Sequence, residues 1–271
     1  MSRSSQTPDR LRHPPRRTRS RRPNKENPMN VAVIGTGNIG SELARVLAAA
    51  NHDLTLANSR GPASLQELAA ELGARPATVA DAVAHADAVV LSIPFVAIPG
   101  LAQTLREAPA STVIVDMSNY YPEAGVMEGV ADAASDTAWL SEQVGRPLTK
   151  AWSSIFSRSL AIKGRASGDL DRVALPVAGD DAAAKKVVMQ LVEDTGFDAV
   201  DAGSLADSWR MQPGTPAYCT DLDATALQGA LARADKTRMD RDRPAQIQAV
   251  YKPEIGVDMV NGVQIYREIT A

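Results

Sequence analysis

The chain is predicted to be an α/β protein: a doubly wound parallel sheet with helices on both faces, plus a small C-terminal helical segment. Two observations predict this. From Asn30 onward, short apolar runs alternate with helical stretches, as in a parallel sheet whose strands are buried on both sides. The first run, Val31-Ala-Val-Ile34, feeds directly into Gly35-x-Gly37-x-x-Gly40, and an amphipathic stretch from Ile39 to Ala50 follows. Strands are expected at 30–35, 53–58, 88–93, 112–116, 148–153, 173–178 and 198–201. Helices are expected near 38–50, 62–73, 94–107 and 182–195. The second of these begins at Pro62, in the favoured first-turn position, and stops at Gly73.

Each glycine of the first turn has its own task. Gly35 permits the tight turn, Gly37 lets a pyrophosphate approach the backbone, and Gly40 lets the helix pack closely. A pyrophosphate at the helix N-terminus meets free backbone N–H groups and the positive end of the helix dipole, so no basic side chain is required. The stretch therefore reads as a dinucleotide site. The second strand, Leu54-Thr-Leu-Ala-Asn58, ends where such a site reads the adenosine ribose. An NAD-selective site carries Asp or Glu there for the 2′-hydroxyl, whereas this chain has Asn58-Ser59-Arg60-Gly61. No carboxylate repels a 2′-phosphate, Arg60 offers a planar charged fork, and Ser59 offers a hydroxyl, so NADP(H) is the expected cofactor. The plain alternative for Arg60 is a solvated surface arginine.

In an open α/β sheet, ligands lie beyond the carboxyl ends of the strands. The loops of interest are therefore Ser92-Ile93-Pro94-Phe95, Met117-Ser-Asn119-Tyr120 and Trp152-Ser153-Ser154. Pro94 opens a helix near the expected nicotinamide ribose, and Asn119 and Ser153 are candidates to orient a carboxamide or a substrate carbonyl. Lys150 is the candidate proton donor, set against its reading as a structural ion-pair partner. Seven aromatic residues cluster late (Tyr120, Tyr121, Trp139, Trp152, Phe156, Trp209 and Tyr218), marking either a pocket for a flat ligand or a core or dimer contact.

Composition narrows the class. The length of 271 residues suits one large α/β domain with an accessory part, and the expected location is the cytoplasm. The lone Cys219 excludes an internal disulfide framework, and with three histidines (His13, His52, His85) no metal site is expected. His52 and His85 are expected to be surface or capping residues. Residues 1–28 carry nine Arg or Lys against two Asp or Glu, with prolines and almost no large apolar side chains. They are expected to be a disordered basic tail: either Met29, immediately before the first strand, is the real start, or the tail is a dispensable extension. The tail carries +7 and residues 29–271 carry −10, which argues against nucleic acid as the main partner. No apolar run of about 18 residues is present to span a membrane. The expected division is 29–203 for nucleotide binding and 204–271 as a C-terminal segment that completes the substrate site or a dimer contact.

Ile34-Gly-Thr-Gly-Asn-Ile-Gly-Ser41, Asn58-Ser-Arg-Gly-Pro62, Val115-Asp-Met-Ser-Asn119, Lys150-Ala-Trp-Ser153, Val177-Ala-Gly-Asp-Asp181, Gly196-Phe-Asp-Ala-Val-Asp-Ala-Gly-Ser-Leu205 and Trp209-Arg-Met-Gln-Pro-Gly-Thr-Pro-Ala-Tyr218 together resemble the coenzyme F420-dependent NADP oxidoreductase family. The resemblance covers about residues 29–220. It implies a Rossmann domain with a small C-terminal part, often a homodimer, passing a hydride between NADP(H) and the deazaflavin coenzyme F420. It further implies that Thr36, Asn38 and Ile39 line the phosphate turn, that Ser59 and Arg60 hold the 2′-phosphate, that Ser92 to Phe95 contact nicotinamide, and that no dedicated catalytic acid exists. Beyond Tyr218 the likeness ends. Ala224–Arg243 reads as one amphipathic helix and Tyr251–Ala271 as an irregular or short-strand tail. Two other functions fit the residues: an NADPH-dependent reductase of another small substrate (an imine, a keto acid or a ferric complex), and a non-catalytic NADP(H) sensor.

Overall fold

The computed structural model describes residues 28–252, 256–257 and 260–271. Apart from Pro28, the expected basic tail lies outside the described residues.

Eight strands form one sheet: β1 (Asn30–Ile34), β2 (Asp53–Ala57), β3 (Arg75–Pro76), β4 (Ala88–Leu91), β5 (Val113–Asp116), β6 (Thr149–Lys150), β7 (Ala174–Gly179) and β8 (Asp198–Asp201). Their order is β3-β2-β1-β4-β5-β6-β7-β8. Strands β1 to β6 are mutually parallel, so their carboxyl ends share one edge. β7 is antiparallel to β6 and β8 is parallel to β7, so this pair runs the opposite way and ends at the other edge. The order reverses between β1 and β4, which opens a crevice at the carboxyl ends of those two strands.

Alternation along β1 shows how the sheet is covered. Val31 and Val33 join one buried cluster with Leu43 and Leu47 of α1 (Asn38–Ala49) and Val188, Leu191 and Val192 of α7 (Ala182–Asp194). Ala32 and Ile34 join the opposite cluster with Val83 of α3 (Val79–Ala84), Leu105 of α4 (Ala102–Arg106) and Leu140 and Val144 of α5 (Asp136–Val144). Successive strand residues point to opposite faces, so an unbroken apolar strand requires helices on both.

Several elements differ from expectation. The second expected helix is a 3-10 turn, Pro62–Leu65, followed by α2 (Gln66–Leu72), whose C-cap Gly73 has φ 65°. The third is likewise a 3-10 turn, Phe95–Leu101, before α4, because Pro99 lies inside it. The strand expected over 148–153 is only two residues long: Trp152 has φ 53°, a left-handed conformation that turns the chain out of the sheet. β3, α3, α5 and α6 (Ser157–Ile162) were not expected. The single helix expected over 224–243 is two, α8 (Ala224–Arg233) and α9 (Lys236–Val250), because Ala234 leaves the helical region at ψ 133° and Asp235 accepts hydrogen bonds from the Thr237 N–H and hydroxyl. The tail expected to be irregular or short-stranded holds two two-residue strands and then α10 (Gly262–Ile269), which packs Tyr266 onto Phe156 and Tyr218. His52 is buried rather than on the surface, its Nδ1 accepting from the Met29 N–H at 3.3 Å and its Nε2 3.2 Å from Asp194 Oδ2. His85 is the C-cap of α3, as expected of a capping residue.

Candidate functional site

The turn from β1 into α1 is built on three glycines with different reasons to be there. Gly35 has φ 102°, and a Cβ on it would lie 2.1 Å from the Ser92 carbonyl oxygen. A Cβ on Gly40 would lie 2.1 Å from the Gly35 carbonyl oxygen and 2.7 Å from Ser92 Oγ. Both are required by the fold itself. Gly37 is not: its φ of −74° suits any residue, and a Cβ there would meet nothing within 4 Å. The helix it precedes has no side-chain cap and no acidic residue in its first turn. The open space above Gly37 and the free amides of α1 are what a bound pyrophosphate requires.

Next to this turn, Asn58 does structural work. Its Nδ2 donates to Thr36 Oγ1 at 3.4 Å and to Ser64 Oγ at 3.1 Å, and its Oδ1 accepts from the Arg60 N–H at 2.9 Å. Asn58 thereby ties the β2 loop to the glycine turn between β1 and α1. Ser59 and Arg60 project from that loop, exposed, and among the described residues neither side chain has a hydrogen-bond or ion-pair partner.

A cavity of about 310 Å³ opens at the switch point, lined by Ile39, Ser92, Pro94, Met117, Asn119 and Tyr121, with Ile93 and Phe95 also on its wall. Phe95 is anchored from behind, its ring 5.2 Å from Tyr120 and 5.8 Å from Trp139. Asn119 Nδ2 donates to the Ser153 carbonyl at 2.8 Å. Asn119 Oδ1 and the Ser92 and Ser153 hydroxyls are buried without a partner among the described residues. Buried polar atoms are nearly always hydrogen-bonded, so the unpartnered atoms of Ser92 and Asn119, two residues that line the cavity, leave hydrogen-bonding capacity for a ligand. The set fits a nicotinamide carboxamide. A larger cavity, about 450 Å³, lies between the 120–136 segment and Trp209, Lys236, Met239 and Arg243. It shares no lining residue with the first, and none of its lining residues belongs to the turn between β1 and α1.

Lys150 belongs to neither cavity. It is fully buried, its Nζ 3.0 Å from Asp136 Oδ1 and 3.4 Å from Asp116 Oδ2, and it donates to the Ser118 carbonyl at 2.9 Å. Burial lowers its pKa, but Asp136 and Asp116 more than offset this and hold the ammonium above its ordinary value. The proton-donor reading gives way to the ion-pair reading, because every donor position is used inside the protein. Asp116 also accepts from the Ser118 N–H at 2.9 Å, so the pair shapes the β5 loop that presents Asn119. The sequence offers the ion-pair role but not its partners, Asp116 and Asp136, which only the fold brings to Lys150; the local signal near them is Ser135, which caps α5 by accepting from the Ala138 N–H.

Comparison with known proteins gives consistent matches. Residues 30–120 match the family model described as NADP oxidoreductase, coenzyme F420-dependent. Protein YjhV of Escherichia coli (strain K12) is 52% identical over 69 residues, 26% of this chain and 50% of YjhV, so the match spans about half the length of that curated relative. Among solved structures, protein SMa0349 of Sinorhizobium meliloti is 30% identical, with 71% of this chain and 94% of that one covered and a TM-score of 0.61. A protein of Arthrobacter sp. FB24 described as an F420-dependent NADP reductase is 26% identical, with 67% and 87% covered and a TM-score of 0.54. Among the described residues no helix is long and apolar enough to cross a membrane, and no three His, Cys, Asp or Glu side chains are grouped to hold a metal ion.

Proposed function

Because this chain belongs to the coenzyme F420-dependent NADP oxidoreductase family, we propose that it transfers a hydride between NADP(H) and a deazaflavin, coenzyme F420 or a similar acceptor. The observation that carries the cofactor half is Gly37, a glycine that neither its φ nor its packing requires, at the uncapped start of α1. In this reading the amides around Gly35, Thr36, Gly37, Asn38, Ile39 and Gly40 hold the pyrophosphate. Ser59 and Arg60 hold the 2′-phosphate, with Asn58 fixing their loop. Asn119 and Ser153 orient the carboxamide, and Ser92, Ile93, Pro94 and Phe95 form the wall behind the nicotinamide. The nicotinamide supplies the hydride; the protein supplies alignment, close approach and exclusion of water, which at roughly 3–3.5 Å between reacting atoms provide much of the acceleration.

The same proposal takes 29–203 as the nucleotide-binding part and 204–271 as the part that completes the acceptor side, in a cytoplasmic homodimer. A second reading, reduction of an imine or keto acid by NADPH, draws support from the unpartnered polar atoms at the cavity, which suit a small carbonyl or imine as well as a carboxamide. The test is a spectrophotometric assay of the full chain with NADPH and oxidised coenzyme F420, with NADH as control. Loss of deazaflavin absorbance with NADPH alone is the expected result; tight NADPH binding with no loss refutes the deazaflavin acceptor and leaves the second reading.

A further inference from the structure

Tyr121 lines the cavity assigned to the nicotinamide, and its hydroxyl oxygen lies 2.6 Å from that of Tyr218, 97 residues away. Tyr218 is buried, and its ring stacks at 5.8 Å on Tyr266 of α10. Tyr266 in turn meets Phe156 at 5.2 Å. Tyr218 is thus held by the C-terminal helix on one side and by Tyr121 on the other.

Two hydroxyls in contact share one proton between their oxygens and have one to spare. When Tyr218 donates to Tyr121, the spare proton belongs to the residue that lines the cavity. Burial raises both phenols well above their ordinary ionisation range, so the pair stays neutral and keeps both protons. A neutral hydroxyl pointed from a fixed partner is a preorganised donor, the kind of group that stabilises charge appearing on a reacting molecule.

We propose that Tyr121 donates a hydrogen bond to the electron acceptor in this cavity, at the oxygen or nitrogen that gains negative charge as the hydride arrives, and that Tyr218 is the positioning residue that directs the Tyr121 proton toward it. The proposal rests on the reading that the cavity holds the nicotinamide of NADPH. It selects acceptors in which a C=O or C=N group is conjugated to the carbon that receives the hydride. As the C–H bond of the reduced nicotinamide breaks, a C–H bond forms on the acceptor, and the acceptor's π electrons move to its oxygen or nitrogen. That atom then takes a proton from water, so NADPH is oxidised by two electrons, the acceptor is reduced by two, and one proton is consumed. Tyr121 keeps its own proton throughout.

The test has two arms. In the first, full-length protein is labelled with 3-fluorotyrosine; the chain has five tyrosines, so each fluorine resonance can be assigned with single Phe variants. Saturating NADP+ is expected to move the Tyr121 and Tyr218 resonances, and the Tyr218 response should vanish in Tyr121→Phe. In the second, reduction of oxidised coenzyme F420 by NADPH is measured. Tyr121→Phe should lower kcat about 100-fold, the size of losing one such donor, with NADPH affinity kept within about twofold, and Tyr218→Phe should lower kcat by a smaller factor with NADPH affinity equally intact. Failure of NADP+ to bind removes the nucleotide reading itself. NADP+ binding with an unmoved Tyr121 resonance, or an undiminished kcat in Tyr121→Phe, overturns the proposal and leaves that reading standing. If the wild type binds NADP+ but does not reduce the deazaflavin, the fluorine arm alone decides.

Discussion

Lys150 Nζ lies 3.0 Å from Asp136 Oδ1 with neither side chain more than 4% exposed, and Asp116, also fully buried, lies on the same ammonium. Three charges taken out of water are tolerable only as a set. Lys150→Met leaves two carboxylates uncompensated and should cost about 3–5 kcal/mol, measured by urea unfolding at neutral pH. A cost below about 1 kcal/mol would mean that the carboxylates find other partners. The same lysine sets a pH dependence. Its pKa is higher folded than unfolded, so its contribution is whole below the unfolded value, about 10.4, and fades as pH rises through the folded value. The stability gap between wild type and Lys150→Met should hold steady from neutral pH to about 10.4 and narrow only above it.

Gly37 and Gly40 make a matched pair. Gly37→Ala adds a Cβ into open space at a permitted φ, so the fold should be kept within about 1 kcal/mol while NADPH binding weakens by tenfold or more, the methyl standing where the pyrophosphate must approach. Gly40→Ala drives its Cβ to 2.1 Å from the Gly35 carbonyl oxygen and should destabilise the protein whether or not nucleotide is present. Thermal unfolding with and without NADPH separates the two; equal destabilisation by both would remove the ligand explanation for Gly37.

Arg60→Ala should weaken NADPH binding by about 1.5–3 kcal/mol, the scale of a hydrogen bond to a charged group, and leave NADH nearly untouched. Because the Arg60 side chain has no partner among the described residues and its backbone N–H bond to Asn58 survives the substitution, its removal should leave the unfolding midpoint in place. Parallel titrations with the two nucleotides check this, and equal losses would exclude a 2′-phosphate contact.

Arg267 of α10 donates to the Thr220 and Asp221 carbonyls at 2.7 and 2.8 Å, fastening the C-terminal helix beside Tyr218. Arg267→Ala should cost about 1.5–3 kcal/mol and raise amide exchange in α10 and around Tyr218 while β1 and α1 keep their protection. Hydrogen exchange followed by mass spectrometry reads this directly; uniform deprotection would show that the helix does not loosen as a local unit.

The parts of this protein that depend on local pattern are legible in the residues alone. Val31 to Ile34 running into Gly35, Gly37 and Gly40 specify a strand, a turn and a helix start, because steric freedom and apolar periodicity act over a few residues. Asn58-Ser-Arg-Gly61 likewise shows that no carboxylate follows the second strand. What depends on residues far apart in the chain comes from the packing. It separated Gly37 from its two fold-required neighbours by showing what a Cβ would meet at each. It made Lys150 a buried ion-pair partner, since Asp136 and Asp116 reach it only when α5 and β5 pack around β6. It reversed β7 and β8 relative to β1–β6, which no apolar run can signal, because parallel and antiparallel buried strands bury the same side chains. It brought Tyr121 to Tyr218 across 97 residues, through a C-terminal helix whose own sequence reads as an irregular tail. Local propensity reports the elements; which polar groups are left facing a shared cavity is settled only by how those elements pack.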